Sequence, residues 1–221
     1  MYYLLTARLA HARALMVIIS RIYDVDEHGC LCLPKRQVAA FWTESKSSAR
    51  DIARAAVELQ DATAYRFARD GSRVDVPFLV NASASRMALS FEFTAEGLDI
   101  LKYVHEALFV YGGYQLNDFR AFSSRYSLNA LLCSLYAERS AKPQEYLPYQ
   151  DVSACLGTEN MYKNNKGFSH YVIEPAFNDL ANMATHPLRH KPFIGINPVS
   201  NRTLAMGIDM SHLRSQSACA V

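Results

Sequence analysis

The chain is short of several things that would announce a function. It has one tryptophan, no Cys-x-x-Cys pair and a formal net charge of only +2 over 221 residues. No apolar run is long enough to span a bilayer, and Arg8, His11, Arg13 and Arg21 interrupt the N-terminal apolar stretch, so no signal-peptide layout is seen. Five cysteines, an odd number without metal-binding spacing, point to reduced thiols in a cytoplasmic protein. No GxxxxGK[ST] run offers an ATP site and no HExxH offers a zinc site. No metal or cofactor is expected, and the chain reads as non-enzymatic.

Half the residues are apolar and a fifth are charged, which fits a globular chain with a real core. The length suits one large domain or two small ones. Charge is uneven. Residues 186–214 hold Arg189, Lys191, Arg202 and Arg214 against Asp209 alone, with His186, His190 and His212 nearby.

Hydrophobic period places the elements. Leu5, Leu9, Ala12, Met16 and Ile19 form one face of a helix over 4–22, read as domain core rather than a short zipper. Cys30–Leu33 read as a strand whose two cysteines share a face and pack in the core. Pro34 opens a helix through Trp42. Ser48–Asp51 resembles a capping box for a helix to about Gln60, with Arg50 and Arg54 on its other face. Residues 64–69 and 72–80 flank Asp70-Gly71, a hairpin signal, and 86–93 alternate again. Helices follow at 95–108, 115–122, 126–138 and 150–156. A polar loop with Lys163 and Lys166 follows, then a helix over 168–184 and a hairpin at 193–197 and 202–209. Three helices followed by a hairpin is the winged-helix order. The expected class is α+β, with two tandem winged-helix domains at 1–117 and 118–221.

In the helix at 168–184, 100° steps put Val172, Ile173, Ala176, Phe177, Leu180, Met183 and Ala184 on one side. His170, Tyr171, Glu174, Asn178 and Asn182 fall on the other. Asn can pair with adenine edges and Glu can accept from cytosine. Pro175, which has no N–H, should loosen or kink the helix. Periodicity alone favours an ordinary amphipathic surface helix.

The run Phe168–Leu180 resembles the last-domain recognition helix of iteron-binding plasmid replication initiators, commonly Asp-Phe-Arg-Arg-Arg-Val-Leu-Asp-Pro-Ala. Val172-Ile173-Glu174-Pro175-Ala176 match its end. Ser124-Arg125-Tyr126-Ser127-Leu128 is similar to the Ser-Lys/Arg-Tyr-Ser-Ile that opens the family's second domain, and Phe91–Thr94 and Tyr114–Phe122 resemble the end of the first. The resemblance implies binding of duplex direct repeats at an origin by monomers, and repression of the protein's own promoter by a homodimer. It implies a host replication initiator and a replicative helicase as partners, and no membrane. It also implies a footprint of roughly 20 base pairs if two winged helices occupy successive major grooves. The nicking class of replication enzymes is disfavoured, because no His-x-His pair accompanies the thirteen tyrosines.

The chain departs from the family where charge matters. Ser169-His170-Tyr171 replace the arginine triplet, and Asn129 replaces the arginine after Tyr-Ser-Ile. Charge-assisted phosphate contacts supply much of DNA affinity. Lys163, Lys166, Arg189, Lys191 and Arg202 offer positive charge from the loop and wing. The DNA-contact candidates are therefore Arg50, Arg54, Arg125, Lys163, Lys166, His170, Tyr171, Glu174, Asn178, Arg189, Lys191 and Arg202. Tyr171 and Asn178 are the expected base readers. Two alternatives share the fold: a transcriptional regulator without a replication role, and a dimerising interaction module without DNA contacts.

Overall fold

The computed structural model describes residues 3–5, 9–42, 49–138, 146–159, 161, 165–183, 191–196 and 203–209. The chain divides into two compact units, Met1–Ala121 and Phe122–Val221. The sequence reading sets the boundary after residue 117. Among the described residues, three small antiparallel sheets and the helices around them make the fold mixed α+β.

The first unit opens with strand β1 (Tyr3–Leu5) and helix α1 (Leu9–Ser20). The sequence period had run both into one helix. Tertiary pairing overrides it: β1 lies along the strand at Thr63–Phe67, with Leu4 opposite Ala64. Helix α1 is buried almost all round, from Leu15 and Met16 to Ile18 and Ile19, so it forms core and not an exposed zipper. Strand β2 (Cys30–Pro34) leads into α2 (Lys35–Trp42) and α3 (Ala49–Glu58). The His11 ring meets the Glu58 carboxylate at 2.9 Å and ties α1 to α3.

Two hairpins follow, where the sequence pattern suggested one hairpin and a strand. Strands β3 (Thr63–Phe67) and β4 (Arg73–Pro77) turn at Gly71, whose φ of +82° suits glycine. Strands β5 (Leu79–Ala84) and β6 (Ala88–Phe93) make the second. The alternation Val74, Val76, Phe78, Val80 breaks because Pro77 has no N–H to extend the ladder. Past it, the register shifts between Leu79 and Asn81, and Val80 faces solvent. Strand β2 pairs with β6, completing a sheet ordered β2-β6-β5. Its inner face carries Leu31, Leu33, Leu89 and Phe91. The two cysteines do share a face, as alternation predicts, but it is the outer one. Cys32 is exposed and Cys30 half-buried, because the larger leucines take the core positions.

Helix α4 (Ala95–His105) is capped by Thr94, whose hydroxyl accepts from the Gly97 N–H and donates to the Pro77 carbonyl, both at 2.9 Å. That bond pins the corner between β4 and β5 onto the helix. A wide π turn (Glu106–Tyr111) extends α4 before Gly112-Gly113, and a tight 3₁₀ segment at Leu116–Ala121 replaces the expected helix.

In the second unit, α5 (Ser127–Glu138) precedes β7 (Tyr146–Pro148) and α6 (Tyr149–Cys155). Strand β7 falls where the two prolines read as loop. It pairs with β9 (Thr203–Asp209), which also pairs with β8 (Lys191–Ile196), in the order β7-β9-β8. Proline tolerates an edge strand. Between β7–α6 and β8 runs one long helix in three parts: α7 (Asn165–Phe168), a π turn (Ser169–Ile173) and α8 (Glu174–Ala181).

Candidate nucleic-acid interface

The helix at 165–181 carries the densest set of candidate residues. Its buried side holds Phe168, Val172, Ile173, Ala176, Phe177 and Leu180. Its outer side exposes Lys166, His170, Tyr171, Glu174, Asn178 and Asn182. Tyr171 is 65% exposed, unusual for a ring of that size. Its ring sits edge-on to His170, with centroids 4.8 Å apart. The His170 ring is 3.5 Å from one Glu174 oxygen, and the Ser169 hydroxyl donates to the other at 3.2 Å. Glu174 is thus oriented before any partner arrives, and Tyr171 leans on the same network through the His170 ring, while the Asn178 side chain lies outside it.

Pro175 explains the π turn. It has no N–H to offer the preceding turn. The Glu174 N–H instead reaches back five residues to the Ser169 carbonyl, widening the helix by one residue. Loosening rather than a break is the outcome, and it falls beneath Tyr171. Such widened turns recur at functional sites.

The sequence reading missed Asp179. It lies on α8, is 6% exposed, and sits one residue beyond Asn178. Its carboxylate accepts from the Ser123 N–H (2.8 Å), the Ser123 hydroxyl (2.7 Å) and the Ser124 N–H (2.9 Å). The Ser127 hydroxyl, on the first residue of α5, donates to it as well. One buried carboxylate therefore binds the turn that starts α5 to the side of α8 away from the exposed face. The signal was present: an acid on the apolar side of a helical wheel, and three serines among residues 123–127. Buried carboxylates need such partners.

The other candidates scatter. Arg50 and Arg54 are exposed on α3, in the first unit. Arg125 is half-buried, with its guanidinium 4.6 Å from the Tyr126 ring centre and donating to that tyrosine's hydroxyl. Lys191 opens β8 in register with Asp209. Lys163, Arg189 and Arg202 lie outside the described residues. Among the described residues no three His, Cys, Asp or Glu side chains gather to hold a metal ion, and no helix is long and apolar enough to cross a membrane.

Sequence comparison adds nothing: no family model and no curated protein matches the chain. The structure places it in a mixed α+β class of paired small units. Within that class it is similar to the crystal structure of domains 2 and 3 of RctB. The TM-score is 0.53 at 10% identity, covering 91% of this chain and 80% of that one. At that identity the likeness is one of fold.

Proposed function

We propose that this chain is a plasmid-type replication initiator that binds duplex direct repeats at an origin. In this reading each unit is a winged helix. The helix at 165–181 lies in a major groove with Tyr171 and Asn178 reading base edges and Glu174 accepting from cytosine. Arg50, Arg54, Lys166 and Lys191 neutralise phosphates, as do Lys163, Arg189 and Arg202. The protein catalyses no reaction. It works with a host initiator and a replicative helicase, and as a homodimer it represses its own promoter.

The observation that carries the reading is the helix itself. An exposed polar face is mounted on a buried side that is bolted to the Ser124–Leu128 segment through Asp179. Those two segments are the ones that resemble the iteron-binding family. The fold likeness to domains 2 and 3 of RctB extends over both units and is compatible with the reading.

The test is a gel shift on the repeats upstream of the gene, repeated from 50 to 200 mM salt. Specific complexes that weaken steeply with salt are expected. Absent or salt-independent binding overturns the reading. Tyr171→Ala and Asn178→Ala should each cost about 1–3 kcal/mol of specific binding and relax the sequence preference.

A further inference from the structure

A basic cluster surrounds the most exposed apolar side chain among the described residues, and no candidate above includes it. The β5–β6 hairpin ends in Ser85-Arg86-Met87. Met87 is 73% exposed, the highest value among the large hydrophobic side chains. Arg86 is exposed beside it, and no hydrogen bond or ion pair engages Arg86 among the described residues.

The tip is rigid. The Ser85 hydroxyl accepts from the Met87 N–H (3.3 Å) and the Ala88 N–H (3.0 Å), and the Ser85 N–H donates to the Ala88 carbonyl (2.9 Å). Met87 is therefore held out by its own turn and does not flop from a loose loop.

Two more cations are brought to this place by the fold. Pro34 pairs with Ala88 in the β2–β6 ladder, and the Lys35 N–H donates to the Met87 carbonyl at 2.9 Å. Lys35 and the exposed Arg36 open α2 at that point. The adjacent Lys35 and Arg36, about fifty residues from Arg86 in sequence, are thus brought beside the same hairpin tip. The hairpin's own outer positions near the tip are Ser83 and Ser90, and its one acid, Glu92, lies at the far end beside Cys30.

Cations around a rigid apolar tip fit duplex nucleic acid better than a protein groove, where an apolar surround would be expected. Phosphates take the cations, and a methionine can enter between two base pairs from the minor groove and unstack them. We propose that Lys35, Arg36 and Arg86 bind backbone phosphates on either side of a minor groove, and that Met87 wedges into a base step there and bends the DNA. This rests on the DNA-binding reading and gives the first unit a role beyond the Arg50 and Arg54 contacts.

The full chain is tested on fluorescently end-labelled DNA carrying the upstream repeats, with affinity read by anisotropy and bending by energy transfer between the ends. Arg36→Glu/Arg86→Glu should weaken binding at least 10-fold and flatten the salt slope by about one unit per lost contact. Met87→Ala should change affinity less than threefold but reduce the bend. All three substituted positions are exposed, so unchanged thermal melts are expected to accompany both variants. The proposal falls if the double variant binds within twofold of the unaltered chain while Tyr171→Ala weakens binding. In that case the DNA-binding reading survives alone. An unchanged bend in Met87→Ala overturns the wedge. Variants that lose self-association in light scattering but keep DNA affinity make the tip a protein interface and overturn the proposal. If the unaltered chain binds none of these DNAs, both readings fall together.

Discussion

Asp179 shows how much one side chain can carry. Its carboxylate ties two stretches more than fifty residues apart, through neutral donors only among the bonds described above. Hydrogen bonds to an ionised group are worth about 1.5–3 kcal/mol each in net terms, and losing the acceptor strands the donors. Asp179→Ala should therefore lower the unfolding free energy by at least about 2 kcal/mol, read from urea denaturation with an unchanged m-value. Asp179→Glu, which keeps the charge, should recover part of the loss. A second residue-scale expectation concerns the thiols. Hydrogen bonding with Cys155 and then burial push the Cys133 thiol well above its ordinary value, whereas Cys32 stands in water. Peptide mapping after brief alkylation at neutral pH should find Cys32 modified and Cys133 intact. A third concerns acid. The Ser72 hydroxyl and N–H hold the Asp70 carboxyl below its usual 3.8. A depressed folded-state value stabilises the hairpin above the ordinary carboxylate range, and that contribution is lost as pH falls through the lower value. Ser72→Ala should move the Asp70 titration, followed by NMR, back towards 3.8.

At the scale of elements, two features come from backbone groups that are missing. Gly97 packs so closely under Phe78 that a β-carbon there would lie 2.4 Å from the Phe78 Cα. Backbone cannot yield as a side-chain tip can. Gly97→Ala should cost about 1–3 kcal/mol by overpacking, visible as a lower melting temperature. Pro175 lacks an N–H, and the helix widens before it. Pro175→Ala restores the donor, so the turn can tighten to ordinary α geometry. Helical signal in circular dichroism should stay level or rise, and repeat-DNA binding should hold, because seven residues at about 100° per step keep Tyr171 on the face that Asn178 occupies. Weaker binding by this variant would show that the widened turn itself sets the contact geometry.

At the scale of the molecule, the sequence disclosed the helices that bury one stripe, such as the one expected at 168–184 and found over Asn165–Ala181, and the hairpin marked by Asp70-Gly71. It hid what depends on distant pairing. Strand β1 looks helical until β3 lies beside it, and β7 looks like loop until β9 does. Cys30 and Cys32 could be assigned to one face but not to inside or outside, since periodicity fixes phase and not sign. The exposed residues of the candidate helix were legible for the same reason its core was. The grouping of Lys35, Arg36 and Arg86 was not, because only the β2–β6 ladder brings them together. Their number bears on the low net charge. Ten cations (these three with Arg50, Arg54, Lys163, Lys166, Arg189, Lys191 and Arg202) predict a slope of about −9 for log affinity against log salt if each meets one phosphate. A titration by anisotropy should return that steepness from a protein of nearly neutral balance.

The Asp179 anchor and the exposed residues sit on different sides of one helix, and this has a bearing on how such a protein changes over generations. Substitutions at 170, 171 and 178 meet neither the anchor nor the apolar side that holds the helix in place. They are free to vary at little cost to packing, so a library varied at those three positions should yield folded proteins, read as cooperative thermal melts.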